Sequence, residues 1–105
     1  MYNEHTPIEF DPEKERKNIQ KHGIDFETAS QVFRDPELVI APDGKHSGQE
    51  QRWFAVGQVS DGRVITVWHT KRGDKIRIIG AAELRKWRDE YEKRKFAGSE
   101  HIKVG

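Results

Sequence analysis

Three strand-like runs, residues 51–59, 64–70 and 75–80, are separated only by short turns built on Asp61-Gly62 and Gly73-Asp74. Pairs of this kind make tight hairpin loops, so the stretch has one economical solution, an antiparallel meander. Loop length then decides which side chains share a face. A two-residue type I′ loop at Asp61-Gly62 pairs Ser60 with Arg63 and sets Phe54 opposite His69. Arg52, Phe54, Val56, Ile65, Val67, His69 and Lys71 then lie on one face, and Trp53, Ala55, Gly57, Val64, Thr66, Trp68 and Thr70 on the other. In the second hairpin a two-residue Gly73-Asp74 loop puts Arg77 opposite Thr70. A three-residue Arg72-Gly73-Asp74 loop puts it opposite His69, and only that register adds Arg77 to the Arg52, His69 and Lys71 cluster.

The flanking segments read as cover for the sheet. Asp11 as N-cap, Pro12 in the first turn and Gly23 as terminator predict a first helix, with a Glu13–Lys17 ion pair and Ile19 as its strong apolar residue, hence a surface helix. A second helix from Asp25 carries Phe26, Ala29, Val32 and Phe33 on one face and stops at Asp35-Pro36. Leu38–Ala41 reads as a short strand ended by Pro42, and residues 43–49 as a polar loop. Residues 82–95 form a basic amphipathic helix with Leu84, Trp87 and Tyr91 in a stripe. The expected fold is α+β, with two N-terminal helices, an antiparallel sheet of about four strands and a C-terminal basic helix. Residues 1–95 are expected to form one domain, and residues 96–105 a flexible tail.

The 105 residues carry a net charge of +1, which conceals an asymmetry. Residues 1–50 hold six Lys/Arg against eleven Asp/Glu, whereas residues 51–105 hold thirteen against seven. A basic second half suits a polyanion, or simply a solvated surface. A mean hydropathy of −0.95 and the lack of a long apolar run argue against a membrane span. No secretory signal is visible, so the cytoplasm is the expected location. With zero cysteines, disulfides, thiolate metal sites and cysteine nucleophiles are excluded. No His/carboxylate spacing matches a zinc site, so no metal and no cofactor are expected.

Arginine, lysine, histidine and glutamate without a metal suit RNA backbone cleavage. There the ribose 2′-hydroxyl attacks its own phosphate, cations hold the crowded phosphorus, and an acid protonates the leaving 5′ oxygen. His69 is a candidate base or acid, and equally a strand histidine covered by a neighbouring ring. Glu50 is an alternative base. Arg52, Arg72 and Arg77 are candidates to hold the phosphate bidentately. Trp53 and Trp68 are read as packing before base stacking, His22 as a helix cap, and His46 as a loop residue.

These residues are similar to a known family. Phe10-Asp11-Pro12-Glu13-Lys14, Asn18 to Glu27 with its Lys21-His22-Gly23-Ile24-Asp25-Phe26 block, and Val32-Phe33-Arg34-Asp35-Pro36 resemble the opening signature of the BrnT family of bacterial type II toxins. Glu50-Gln51-Arg52-Trp53, Gly57, Asp61-Gly62-Arg63, His69-Thr70-Lys71-Arg72-Gly73 and Ile76-Arg77-Ile78-Ile79 continue the match in order, over about residues 8–95. The resemblance implies a RelE-like fold and metal-independent cleavage of RNA that halts translation. It also implies neutralisation by a ribbon-helix-helix antitoxin of BrnA type, with operator DNA bound only through the toxin–antitoxin complex. Glu50, Arg52, His69 and Arg77 are the expected catalytic residues, and Lys71, Arg72, Lys75, Arg85 and Arg88 the expected RNA contacts. One departure stands out. Many members follow the last strand with Ser-Ala-Arg, where this chain has Gly80-Ala81-Ala82, which implies either that Arg85 or Arg88 supplies the missing charge or that activity is weak. Two other functions fit the same sequence: a catalytically silent antitoxin-binding module acting in autoregulation, and a small nucleic-acid-binding regulator.

Overall fold

Helix α1 spans Pro12–His22 and is bounded by the two residues expected to bound it. The Asp11 carboxylate accepts the Glu13 N–H at 2.9 Å, and Gly23, at φ 70°, donates to the Ile19 carbonyl at 2.8 Å. That left-handed conformation is one glycine adopts without strain. The computed structural model describes residues 5–46 and 48–104, with side chains as far as Phe96. Glu13 pairs with Arg16, one residue nearer than the expected Lys17.

Asp25 caps the next helix, accepting from the Thr28 N–H at 3.1 Å and hydroxyl at 2.6 Å. Helix α2 runs over Phe26–Ser30 and then tightens into a 3-10 turn at Gln31–Arg34. The second expected helix is thus two short pieces, and its apolar residues keep their inward positions.

The sheet has five strands and is mixed. Strand β1 (Ile8–Phe10) pairs in parallel with β5 (Lys75–Ala82), which pairs antiparallel with β4 (Val64–Arg72), then β3 (Trp53–Gln58), then β2 (Val39–Pro42). The sequence expectation of about four antiparallel strands misses β1, whose three residues are too few to show a period. Alongside the C-terminal part of β5, α1 takes the place of a neighbouring strand. Asn18 is buried, and its amide accepts the Ala81 N–H at 3.0 Å and donates to the Ala81 and Ile24 carbonyls at 3.0 and 2.9 Å. An edge whose partner strand has ended thereby keeps its hydrogen bonds.

Both hairpins exist, but the first has a different register. Val59 donates to Arg63 at 2.9 Å and Gln58 pairs with Val64, so the loop has three residues, Ser60-Asp61-Gly62. Gly62 has φ 95° and Asp61 keeps negative φ; a two-residue type I′ loop needs positive φ at both central positions. Trp53, not Phe54, therefore faces His69. The one-residue slip sends every β3 side chain to the other face relative to β4. The second hairpin takes its shorter form: Arg72 pairs with Lys75, Gly73 has φ 63°, and Arg77 sits opposite Thr70. A bulge follows, with Ile79 as the extra residue between the His69–Ile78 and Trp68–Gly80 pairs.

On one face, α2 and the 3-10 turn bury Phe26, Ala29, Val32 and Phe33 against Ala55, Ile65, Val67, Ile76, Ile78 and Ala81. Gly57 permits the close approach, since a Cβ there would fall 2.9 Å from the Val32 carbonyl oxygen. The other face is covered at one end only. Helix α3 (Arg85–Val104) lays Trp87 and Tyr91 over Val39, Val56 and Val64. It extends past the Lys95 end that its apolar stripe predicts. The Tyr91 hydroxyl donates to Asp35 at 2.5 Å, and Asp35 also accepts the Gln58 and Glu37 N–H groups at 2.7 and 2.8 Å. Among the described residues no helix is long and apolar enough to cross a membrane.

Candidate active site

The part of the sheet that α3 leaves uncovered is rich in arginine. Trp68, Thr70 and Arg72 of β4 alternate onto this face, Arg77 joins them opposite Thr70, and Lys75 opposite Arg72. Arg52, just before β3, lines a concavity of about 340 Å³ with Asp43, His46, Phe54, Trp68 and Leu84. Arg72 pairs with Glu50 at 3.2 Å, and half-buried Arg77 with Glu9 at 3.4 Å. Thr70 is fully buried, and its hydroxyl has no hydrogen-bond partner among the described residues.

His46 sits at the rim of that concavity with its ring exposed and Nδ1 at 3.0 and 3.2 Å from the two oxygens of Asp43, whose side chain is 6% exposed. A carboxylate only accepts, so Nδ1 is the donor in this pair. The Asp43 oxygen also accepts the His46 N–H at 3.2 Å, which fixes the loop that carries the ring. A buried carboxylate orienting an exposed imidazole beside an arginine and two aromatic rings can bind a phosphate and move a proton in one place.

The expected cluster of Arg52, His69, Lys71 and Arg77 is divided by the register. Arg52, Arg72, Lys75 and Arg77 lie on the open face; His69 and Lys71 point to the opposite one. His69 is wholly buried, meets the Phe33 ring edge-on at a centroid distance of 5.0 Å, and has its pKa pushed down to about 4 by burial, with a smaller contribution from Lys71. It is a neutral core histidine on the face opposite Arg52, Arg72 and Arg77, a position that does not fit the catalytic role expected for it. Glu50 is exposed at the loop end beside Arg72. Arg85 is exposed at the start of α3, and Arg88 lies 4.0 Å from Asp89.

Sequence reasoning passes over His46 and Asp43, although their i,i+3 spacing directly after a strand-ending proline is visible there. It also passes over Lys14, Lys17 and Lys21, which fall on one side of α1 because they are three and four residues apart. Among the described residues no three His, Asp or Glu side chains come together as metal ligands.

Comparison with known proteins agrees with the fold. The family model described as ribonuclease toxin, BrnT, of type II toxin-antitoxin system matches residues 10–90. A solved structure, the Brucella abortus ribonuclease toxin BrnT, superposes with a TM-score of 0.59 at 22% sequence identity, covering 75% of this chain and 96% of that one. At that identity the likeness is one of fold. A search of curated protein sequences gives no match.

Proposed function

The chain belongs to the BrnT family of ribonuclease toxins of type II toxin–antitoxin systems, and from that premise we propose that it cleaves RNA without a metal at the open face of its sheet. The observation that carries this reading is the concavity in which Arg52 and the His46–Asp43 pair lie beside Phe54 and Trp68. Arg52 and Arg77 supply fixed positive charge for the phosphate, and Arg72 holds Glu50 at the same end of the sheet. Glu50 accepts the proton of the 2′-hydroxyl as its oxygen bonds to phosphorus. The phosphorus–O5′ bond breaks, and His46 in its protonated form delivers a proton to the departing oxygen. The products are a 2′,3′-cyclic phosphate and a 5′-hydroxyl, so atoms and charge balance without a cofactor.

Lys75, with Arg85 and Arg88 of α3, extends the positive surface along the RNA. The fold is of RelE type in this reading, and translation stops because messenger RNA is cut in the cytoplasm. A BrnA-like ribbon-helix-helix antitoxin neutralises the protein, and operator DNA is met only through that complex. Purified protein should cut single-stranded RNA in excess EDTA. His46→Ala should cut it 10²- to 10⁴-fold more slowly. Loss of activity in chelator, restored by one divalent ion, would show that a metal takes part after all.

A further inference from the structure

Two clefts meet at Trp68. On one side is the concavity that contains Arg52 and Phe54; on the other, Lys14, Lys17, Asn18, Lys21 and His22 of α1 line a second hollow of about 350 Å³, closed by Ile79 and Gly80. Trp68 borders both. Its half-buried indole lies directly on Gly80: a Cβ at residue 80 would fall 2.3 Å from the ring. His22 meets the indole edge-on at a centroid distance of 6.2 Å. Among the described residues the lining of the second hollow includes three exposed lysines and no carboxylate, although these lysines come from the half of the chain that holds six Lys/Arg against eleven Asp/Glu.

We propose that Trp68 is a stacking platform for one unpaired base of the RNA, and that Lys14, Lys17 and Lys21 hold the phosphates running on from that base over α1. This deepens the ribonuclease reading and rests on it. Single-stranded nucleic acid is gripped by aromatic faces, which accept any base, together with a track of cations along the backbone. Both occur here, side by side and next to the arginine face. Gly80 is the enabling residue, because any side chain there would lift the indole from the strand. The Gly80-Ala81-Ala82 junction, where many family members have Ser-Ala-Arg, thus has a physical role in this chain.

The test is equilibrium binding of a labelled 2′-O-methyl single-stranded oligonucleotide, which lacks the attacking hydroxyl, measured over a range of salt concentrations with thermal melts alongside. Replacing Lys14, Lys17 and Lys21 together by Gln should flatten the plot of log affinity against log salt by about 2, roughly 0.7 for each phosphate that is no longer neutralised. Trp68→Ala should weaken binding roughly 5- to 150-fold, the loss of one stacked base, with the salt slope unchanged. Trp68→Phe, which keeps an aromatic face, should keep most of the affinity, and Trp68→Leu, apolar without one, replaces the alanine variant should that one fail to fold and should show the same loss. Gly80→Ala should weaken binding in the wild-type background and add nothing in Trp68→Ala, since both remove the same platform. An unchanged slope in the lysine variant overturns the proposal, as does equal binding of a duplex of the same sequence. Unchanged RNA binding with loss of binding to an acidic protein partner would also overturn it, and would assign the lysines to that partner. Wild-type protein that cleaves and binds normally while every variant matches it refutes the platform alone; wild-type protein that neither binds nor cleaves refutes the ribonuclease reading with it.

Discussion

The two faces of the sheet use the same residue types to opposite ends. On the covered face, histidine and tryptophan serve packing: His69 lies sealed against Phe33, and its opposite number Trp53 sits on the same side. On the open face, His46 is exposed and held by a carboxylate, while Trp68 borders two hollows. Residue type alone therefore says little about role. What decides it is parity along a strand, since one residue of register separates a buried neutral imidazole from an arginine-lined surface.

The sharpest way to break this comparison is to replace a basic residue on each face in turn. Arg52→Ala should lower cleavage by 10²- to 10³-fold, the usual cost of losing one fixed group that stabilises charge in the transition state, and Arg77→Ala should follow in the same direction. His69→Gln should leave the rate at pH 7 within a few-fold of wild type, provided the protein is folded. Growth arrest on expression, scored with an RNA cleavage assay, checks all three. Equal inactivation by His69→Gln at full stability would return that histidine to the active site.

A second prediction concerns stability. The folded pKa of His69 is pushed from the usual 6.5 down to about 4, chiefly by burial. The unfolded chain therefore binds the proton more readily. The sign follows: above pH 6.5 the group has no effect, and as pH falls from 6.5 to 4 the folded state loses stability, by about 3 kcal/mol in all. The stability difference between wild type and His69→Gln, measured by urea unfolding, should change by about that amount between pH 7 and pH 4. A constant difference would mean that the ring reaches solvent.

Much of the architecture was legible because it is written locally. Asp11, Pro12 and Gly23 each satisfy a requirement of a helix end, and in the folded chain each of them does so. Asp61-Gly62 announced a hairpin for the same reason, but not its length. The pair fits a two-residue loop with two positive φ angles and a three-residue loop with one, and the choice depends on which β3 residues the core accepts. Strand β1 was hidden by its brevity. The lysines of α1 are hidden by summation, because the eleven Asp/Glu of residues 1–50 outweigh their six Lys/Arg in any count of charge, and only the helix geometry sorts the lysines to a separate side. The polar loop around His46 gives no sign of a role, whereas Asp43, three residues earlier, is the informative neighbour.

Helix α3 joins the two faces through a buried contact, and breaking it should have a smaller effect. Tyr91→Phe removes the hydroxyl that donates to Asp35 and leaves the carboxylate its two backbone donors. A hydrogen bond to a charged acceptor contributes roughly 1.5–3 kcal/mol, and the retained partners favour the lower end. Burial alone would raise the pKa of Asp35, yet the Gln58, Tyr91 and Glu37 bonds bring it below the usual carboxylate value. The deficit of Tyr91→Phe should therefore be fullest near neutral pH and fade as the pH falls through the folded pKa of Asp35. Unfolding curves at pH 7 and pH 3 read both parts.

The smallest effect should come from the cations of α3. Arg85 and Lys86 are exposed, and Arg88 has Asp89 at 4.0 Å. Glu83, Asp89, Glu90 and Glu92 spread opposite charge over the same segment. A phosphate approaching this surface meets a mixed field, whereas the hollow beside α1 presents lysines with no carboxylate in its lining. Counterion release follows the phosphates actually neutralised, about 0.7 in slope for each on a single strand. Replacing Arg85, Lys86 and Arg88 by Gln should flatten the salt dependence of RNA binding by less than about 1, half or less of the change expected for the three α1 lysines, and leave the melting temperature nearly unchanged. A flattening as large as that of the α1 variant would move the RNA track from α1 onto α3. It would also return to Arg85 or Arg88 the charge that Ala82 lacks.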